Sequence, residues 1–343
     1  MSPANSHADG RRQVVTTRRR LLYHGLTAAG VAILAASGCA PVAGPPSKIP
    51  RLGFVSPFPA DAEQLVRALR GIGYVAGQNI TVESRLSAGE TPAQLTPLVE
   101  ELARLPVDTI ATAGTPAAQI AKAATRTIPI VFYAVGDPIA SGVVTNLARP
   151  EGNVTGVTNF SPKAIGKGLE YLVQLAPGVK RIAFVGNLRG NSGSTQQLAA
   201  AQTAAATMGV QIVEFALRDV GGIDQIFESF ALSGVQALIV GSDGVTLGGM
   251  ARLVELAARY RLPAIYNRRE FAVAGGLIAF GPNYPALWER VAVLVDRILR
   301  GRAPGDLPVE QPTLFDLAVN ATTAQALGIT VPQSILMQAE VIQ

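Results

Sequence analysis

The sequence predicts an α/β protein with two lobes, each containing a parallel sheet covered by helices. The 343 residues are 48% hydrophobic and 15% charged, which provides enough apolar side chains for two ordinary cores. From Arg51 onward, short apolar runs of strand length alternate with longer amphipathic segments. This alternation occurs in two series of similar length. Alternating strands and helices form parallel sheets, so we expect one sheet in each lobe.

The first series contains four predicted strands and three predicted helices. The strand segments are RLGFVS, NITVESRL, VDTIATAG and IPIVFYAV, and the helical segments are ADAEQLVRALRGIGY, PAQLTPLVEELARL and TPAAQIAKAATR. Gly71 is a typical helix stop, and Thr115 before Pro116 is a typical helix start, with Thr115 as the N-cap. The following segment, NVTGVTNF, is predicted to cross to the second lobe.

The second series restarts the same pattern. Its strand segments are KRIAFVGN, VQIVEFAL, VQALIVGS, LPAIYN and GGLIAFG, and its helical segments are GSTQQLAAAQTAAATMG, GIDQIFESFAL and GGMARLVELAARYR. The amphipathic segment YPALWERVAVLVDRILRG, which Gly301 ends, is predicted to be a long final helix.

The composition excludes several kinds of catalytic and metal site. Both histidines, His7 and His24, precede Cys39, which is the only cysteine. The chain from Cys39 onward therefore cannot use Ser-His or Cys-His catalysis or a zinc site with histidine ligands. Carboxylate or lysine chemistry and an oxygen-ligated metal stay open, but no pattern calls for a metal or cofactor, and we expect neither.

The basic charge belongs to the N-terminus. Five of the 29 basic residues and one of the 24 acidic residues precede Cys39, which leaves 24 basic and 23 acidic residues from there on. Such a balance is no basis for nucleic-acid binding, and we expect none.

Residues 1–38 are predicted to form an export signal. Arg18, Arg19 and Arg20 precede an uncharged run to Gly38, as in signal peptides; a membrane anchor is the alternative, although the run is marginal for a span. Ala36-Ser37-Gly38-Cys39 resembles a bacterial lipobox, so Cys39 is the predicted lipidation site and residues 39–50 a Pro/Gly-rich tether. A spare cysteine in a cleaved peptide is the alternative. Sec and twin-arginine export both stay open.

Polar and aromatic residues follow the predicted strands. Ligands of parallel α/β sheets bind beyond the carboxyl ends of the strands, so these residues are candidates for binding a compact polar ligand. Taken singly, each is better explained by turn or cap chemistry, and it is the pattern repeated in both lobes that indicates binding. The candidates are Ser56, Phe58, Thr115, Asp137, Asn159, Asn187, Ser242, Asp243, Tyr266, Asn283 and Tyr284.

Two further patterns favour structure over binding. GNLRGNSG follows a strand but matches neither a Walker nor a dinucleotide-binding fingerprint, so we interpret it as a turn. NRRE, residues 267–270, offers a basic pair that could bind an anion, but a solvated helix start is the favoured interpretation.

Four segments carry a family resemblance. GYVAGQNITVE, TPAAQIAKAATRTIPIVF, GDPIASGVVTNLARPEGNVTGVTN and LPVEQPTLFDLAVNATTAQALGITVPQSIL resemble the ABC transporter substrate-binding proteins of the tryptophan/tyrosine type. The resemblance covers residues 51–336. The chain departs from the family pattern at Gly241-Ser242-Asp243-Gly244, where Pro-Thr-Asp-Asn is typical, and at Tyr266-Asn267, where Gly/Ser and Asp are common.

The resemblance implies a type I periplasmic-binding-protein architecture, with two Rossmann-like lobes joined by three crossovers. Lobe 1 would comprise residues 51–154 and 283–306, and lobe 2 residues 155–282 and 307–343. It further implies a small-molecule ligand, an amino acid and in some members an aromatic one, that is captured in the cleft by hinge closure and delivered to an ABC permease with its ATPase. Contact with the membrane would be through the lipid anchor alone.

Two other functions stay open at this point. A doubly wound enzyme could use Asp137 or Asp243 as its acid or base, with Lys163 or Lys167 as a partner. A ligand-sensing lipoprotein subunit would share the fold and the cleft but signal to a receptor instead. We expect a binding protein rather than an enzyme, because capture of a ligand needs no chemistry on it.

Overall fold

The computed structural model of the protein describes residues 48–343 except Ala88 and Gly190. The predicted export signal, Cys39 and nearly all of the predicted tether lie outside the described residues. In the described part, the strands are β1 (Arg51–Ser56), β2 (Thr81–Leu86), β3 (Thr109–Ala113), β4 (Ile130–Val135), β5 (Val154–Thr158), β6 (Arg181–Gly186), β7 (Gln211–Ala216), β8 (Ala237–Val240), β9 (Ala264–Tyr266), β10 (Ile278–Pro282), β11 (Phe315–Asn320) and β12 (Glu340–Ile342).

Helices follow most of these strands, as the two series predict. They are α1 (Pro59–Gly71), α2 (Pro92–Arg104), α3 (Thr115–Ala124), α4 (Pro162–Leu175), α5 (Ser192–Met208), α6 (Ile223–Ser233), α7 (Gly244–Gly248), α8 (Met250–Arg259), α9 (Arg269–Val273), α10 (Tyr284–Leu299), α11 (Ala321–Leu327) and α12 (Gln333–Leu336). Among the described residues, no helix is both long enough and apolar enough to cross a membrane.

Each lobe contains one sheet. The first sheet is parallel throughout and has the order β2-β1-β3-β4-β5. The second has the order β12-β11-β10-β9-β8-β6-β7 and is parallel except where β11 pairs with β10 in the antiparallel direction. These are the two α/β lobes with parallel sheets that the sequence predicts, and the late strand β11 joins the second lobe as the resemblance implies.

Helices cover both faces of each sheet. In the first lobe, α1 and α10 pack on one face and α2 and α3 on the other. The centre of the first face is Trp288 of α10, which is fully buried and stacks on Tyr133 of β4 with ring centroids 3.6 Å apart. Truncating a buried tryptophan costs about 3–5 kcal/mol of folding free energy, so this contact fixes α10 to the lobe.

The segment predicted as a crossover is a strand. Val154–Thr158 pairs in parallel with β4 as the edge of the first sheet. The expected boundary at residue 154/155 is therefore wrong, and the chain leaves the first lobe only after Thr158. The five residues of β5 are all buried, so they lack the polar/apolar alternation that would have marked a strand.

Three passages connect the lobes. The chain crosses after β5, returns between β10 and α10, and crosses again before β11. The last passage begins after Glu310, because Val157 still bridges to Glu310 and Leu307 still packs in the first core. Asn159 and Tyr284 lie on the first two passages, next to the cleft between the lobes.

Candidate functional site

The carboxyl ends of the parallel strands in both lobes meet at one cleft. The cleft encloses a space of about 50 Å³. The first lobe contributes the loops after β1, β2, β3 and β4, and the second lobe contributes those after β6, β8 and β9. The hydrogen-bonding and charged side chains that line it are Asp61, Glu90, Thr115, Tyr133, Asn159, Asn191, Ser242, Asp243 and Arg268.

The two lobes touch each other across this cleft. Oε2 of Glu90, in the first lobe, accepts a hydrogen bond of 3.1 Å from the backbone N–H of Gly244 at the start of α7. Gly136, after β4, faces Gly193 of α5 so closely that a Cβ on Gly136 would lie 2.5 Å from the Gly193 Cα. A Cβ on Gly244 would lie 2.2 Å from the Glu90 Cδ. The neighbour of Gly136 is backbone and cannot turn aside, so only glycine at position 136 allows the lobes to approach this far.

A hydroxyl network lies where the passages meet the cleft. The Tyr284 hydroxyl lies 3.0 Å from Ser242 Oγ and accepts a hydrogen bond of 3.0 Å from Asn267 Nδ2. Asn159 Nδ2 donates to the same hydroxyl at 3.4 Å. One tyrosine at the start of α10 therefore ties together the first passage and two loops of the second lobe.

Arg268 places a positive charge in the cleft. It is the N-cap residue of α9, and its guanidinium carbon lies 3.5 Å from the centre of the Tyr284 ring, a cation–π contact. Among the described residues, no carboxylate lies within ion-pair distance of it. Burial alone would lower the pKa of Arg268, but Tyr284, Tyr133 and nearby carboxylates raise it, so the group stays charged.

Two carboxylates of the first lobe share the cleft with Arg268. Burial, followed by repulsion from Asp243, raises the pKa of Glu90 to about 7, although the Gly244 N–H opposes the shift. Burial also raises the pKa of Asp61, which accepts a hydrogen bond of 2.6 Å from Ser56 Oγ. Each carboxylate is costly to keep ionised in this space, because burial disfavours its charged form.

Asp243 has a different environment from these two. It is the N-cap of α7, with Oδ1 accepting from the Thr246 N–H at 2.9 Å. Its Oδ2 accepts from the Asn187 N–H and from Ser194 Oγ, both at 2.8 Å. Burial raises the pKa of Asp243, and these hydrogen bonds oppose the rise. The carboxylate is therefore fully engaged by its own lobe, as the capping alternative in the sequence analysis expects.

The structure brings some of the predicted candidates together and not others. Phe58, Thr115, Asn159, Ser242 and Asp243 line the cleft, and Tyr284 lies against Arg268. Four others stabilise local structure beside it. Ser56 holds Asp61, Asp137 closes the turn at Ile139 and Ala140, Asn187 donates its N–H to Asp243, and Asn283 caps α10.

Thr115 is one residue inside α3 rather than its N-cap, which is Gly114, and its hydroxyl accepts from the Gly136 N–H at 3.3 Å.

Tyr266 lines a second, more apolar space of about 60 Å³ inside the second lobe. Its ring stacks on Phe271 at 4.7 Å, so it does not reach the cleft. Phe184, Ile239 and Phe280 also line this space, and it shares Asn159 and Ser242 with the cleft as a common wall. The two spaces are thus a charged one between the lobes and an apolar one next to it.

Sequence reasoning missed three charged residues of the cleft, Asp61, Glu90 and Arg268. Glu90 follows β2, the one strand of the first lobe whose carboxyl end yielded no candidate, and Asp61 lies in the first turn of α1. Arg268 belongs to NRRE, where the solvated interpretation is correct for Arg269, which pairs with Glu340 on the surface, and wrong for Arg268. Attention to every strand end would have found Glu90.

In the described part of the chain, no group of three or more acidic residues is placed to hold a metal ion. The carboxylates of the cleft are instead distributed over both of its walls.

Known proteins resemble this chain in sequence and in fold. A curated relative described as "Tyrosine-binding protein", from Clostridioides difficile (strain R20291), is 27% identical over 264 residues, which cover 77% of this chain and 75% of the relative. A solved ABC domain in complex with L-Trp, from Streptococcus pneumonia, is 25% identical with a TM-score of 0.80, and the match covers 86% of this chain and 99% of that one.

A third relative was solved in a different state. The ligand-free, open structure of a substrate binding protein with adhesive properties from Clostridium difficile is 27% identical, with a TM-score of 0.65 over 86% of this chain and 99% of that one. At similar identity and coverage, the chain as a whole superposes less well on this open structure than on the L-Trp complex.

The profile of one protein family also matches residues 60–342, and that family is described as ABC transporter substrate binding protein. Since the match spans most of the chain and its fold is the one that the resemblance implies, the protein belongs to the family of ABC transporter substrate-binding proteins.

Proposed function

We propose that this protein captures an amino acid, and preferentially an aromatic one, in the cleft between its lobes and delivers it to an ABC permease with its ATPase. The family is one of solute-binding proteins and not of enzymes. The observation that carries the proposal is the cleft itself, where both lobes contribute polar and charged groups to one enclosed space. Relatives that bind tyrosine and L-Trp support the aromatic preference.

Capture proceeds by closure of the lobes about the three passages. A ligand stabilises the closed state only through contacts that the open state lacks, and a cleft lined from both lobes provides such contacts. The better superposition on the L-Trp complex than on the open relative supports a closed arrangement in this structure. Phe58 and Leu247, on opposite walls, are placed to cover an apolar side chain.

A thermal-shift screen of the purified protein against L-amino acids, sugars and simple carboxylates tests this proposal. We expect L-tyrosine or L-tryptophan to raise the melting temperature by several degrees, since ligand at 100 times Kd stabilises the native state by about 2.7 kcal/mol. Small-angle scattering of the same complex should show a smaller radius of gyration. Stabilisation by a sugar but by no amino acid would contradict the amino-acid assignment.

The protein acts outside the cytoplasm in this proposal, held near the membrane by a lipid on Cys39. The arginine-rich start, the apolar run and the lipobox-like Ala36-Ser37-Gly38-Cys39 support export and anchoring. Mass spectrometry of the exported protein should find a lipid on Cys39, and Cys39→Ser should release the protein from the membrane fraction. A wild-type protein without lipid would contradict the anchor.

A further inference from the structure

Carboxylates outnumber cationic side chains among the residues that line the cleft. Three carboxylates, Asp61, Glu90 and Asp243, line it with a single guanidinium, Arg268. If all four groups are ionised, three negative charges and one positive charge leave a net charge of −2. An unpaired charge is costly in such a space, so each carboxylate needs a cationic group or a proton beside it, and the guanidinium needs an anionic group.

The hydrogen bonds show which carboxylates have acceptor capacity to spare. Asp243 already accepts three hydrogen bonds from donors of the second lobe, and both of its oxygens are engaged. Glu90 uses only Oε2, toward Gly244, and Asp61 uses only Oδ2, toward Ser56. In the described part of the chain, no donor reaches Oε1 of Glu90 or Oδ1 of Asp61. An ammonium group carries three N–H donors and no acceptor, and therefore matches these two oxygens.

Arg268 offers the opposite chemistry. Its guanidinium lies on the Tyr284 ring without an ion pair among the described residues, and it presents donors that suit a carboxylate in bidentate geometry. The N-terminus of α3, a helix of ten residues, lines the same space through Gly114 and Thr115. Helix N-termini favour anions, and the start of α3 lies beside the Glu90 carboxylate, since a Cβ on Gly114 would lie 3.2 Å from Glu90 Oε1.

We infer that the cleft is built for a zwitterion in one orientation, with its ammonium group at Glu90 and Asp61 and its carboxylate at Arg268. The inference rests on the proposed function and assigns the residues that recognise the ligand's backbone. Asp243 is not assigned to the ammonium group, because both of its oxygens already accept hydrogen bonds from its own lobe. The ligand's side chain then faces Phe58 and Leu247, away from these charges.

A proton should leave Glu90 when such a ligand binds. In the closed arrangement of this structure the pKa of Glu90 is raised to about 7, so a closed cleft without ligand holds Glu90 partly protonated at neutral pH. The charged groups around it are Asp61 at the start of α1, Asp243 before α7 and Arg268 before α9. An ammonium group against Oε1 favours the ionised form, so its arrival displaces the proton. Affinity should consequently fall as the pH falls below 7.

Calorimetric titration with three matched probes tests the orientation. The probes are the aromatic amino acid identified in the screen, its amide, which lacks the carboxylate charge, and its deaminated acid, which lacks the ammonium group. Wild-type protein should bind both analogues roughly 10- to 100-fold more weakly than the amino acid. Arg268→Gln should abolish the discrimination against the amide, and Glu90→Gln the discrimination against the deaminated acid.

Two neighbouring positions serve as controls. Arg269→Gln removes the adjacent arginine, which pairs with Glu340 on the surface, and Glu100→Gln removes a carboxylate of α2 that pairs with Arg104. Both should bind like wild type. Titration at pH 7 in buffers of different ionisation enthalpy should show a larger release of protons from wild type than from Glu90→Gln, and equal release would contradict displacement of the Glu90 proton.

The outcomes separate this inference from the proposed function. Tight binding of the amino acid by Arg268→Gln and Glu90→Gln, with discrimination intact, would overturn the orientation and leave amino-acid capture in place. Tight binding of a sugar, with no response to any zwitterion, would overturn both. Melting curves of each variant identify those that fail to fold, and for these Arg268→Lys and Glu90→Asp repeat the comparison with charge retained.

Discussion

The two walls of the cleft contain carboxylates that look alike in the sequence and differ in the structure. On the wall of the second lobe, Asp243 follows a strand, is buried, and accepts three hydrogen bonds from its own lobe. On the wall of the first lobe, Glu90 also follows a strand, but its single hydrogen bond comes from the opposite lobe. Burial beside a cleft is therefore common to both, and the number of donors already in place separates a structural residue from a binding one.

Removing the carboxylate of Asp243, which accepts three hydrogen bonds, should have the largest effect on the free energy of unfolding. Asp243→Ala deprives α7 of its cap and leaves the Asn187 N–H and the Ser194 hydroxyl without an acceptor. Loss of a cap costs about 0.5–2 kcal/mol, and unsatisfied buried donors add to it, so we expect a total of about 2–4 kcal/mol. Urea unfolding of the ligand-free protein measures this loss. Asp243→Asn, which retains a capping oxygen, should lose less; equal losses would break the distinction between the two walls.

Glu90, which accepts a single hydrogen bond, should instead make the free energy of unfolding depend on pH. Because the folded state raises the pKa of Glu90 from 4.5 to about 7, folding favours its protonated form. Its contribution to stability is complete below pH 4.5 and is lost as the pH rises through 7. In the closed arrangement this shift corresponds to a loss of roughly 1–3 kcal/mol of unfolding free energy across this window, and the loss is smaller where the lobes open and Glu90 is solvated. Burial also raises the pKa values of Asp61 and Asp243.

Glu90→Gln isolates the contribution of this residue. The variant should remove most of the decline between pH 5 and 8, as thermal unfolding at a series of pH values would show. If its pH profile matched that of wild type, Glu90 would be either exposed or paired in solution, and the contrast with Asp243 would not hold.

Both walls of the cleft can contact a ligand only if the lobes close, and substitution of Gly136 tests this closure. Gly136→Ala places a Cβ 2.5 Å from the backbone of Gly193, so the lobes should stop short of the closed arrangement. We expect ligand affinity to fall at least tenfold, about 1.4 kcal/mol, with little change in the stability of the ligand-free protein. Gly71→Ala, where a Cβ meets nothing within 4 Å, is the matched control. Titration and small-angle scattering provide the two measurements, and wild-type compaction in Gly136→Ala would refute the contact.

The smallest effect is expected at the surface ion pair next to the cleft. Arg269→Gln removes the pairing with Glu340, and exposed pairs contribute about 0–1 kcal/mol. Differential scanning calorimetry should detect a shift of a few degrees at most. A larger destabilisation would mean that Arg269 supports the position of Arg268, and it could then no longer serve as its control.

The fold could be predicted because its signals are local. Runs such as RLGFVS and VQALIVGS become β1 and β8 within one or two residues, since buried strands between amphipathic helices have a distinct period. β5 and β12 were missed because a five-residue buried run and a three-residue edge strand depend on partners far away in the chain. The site was harder to predict, because a side chain's direction is not a local property. Arg268 and Arg269 are adjacent, but the extended backbone at the N-cap directs one into the cleft and the other toward Glu340.

The approach of Gly136 to Gly193 has a consequence for how the protein is recognised. Contact between two main chains prevents any further closure of the lobes, since backbone atoms, unlike side chains, cannot move aside by changing rotamer. In the closure proposed above, the end point is therefore set by the protein and not by the size of the ligand. A membrane partner that reads the outer surfaces of the two lobes would meet one shape for every ligand small enough to let the glycines touch. A bulkier ligand would prevent full closure, and the partner would not recognise the complex. The contact between the glycines would therefore limit the size of the ligand that is delivered.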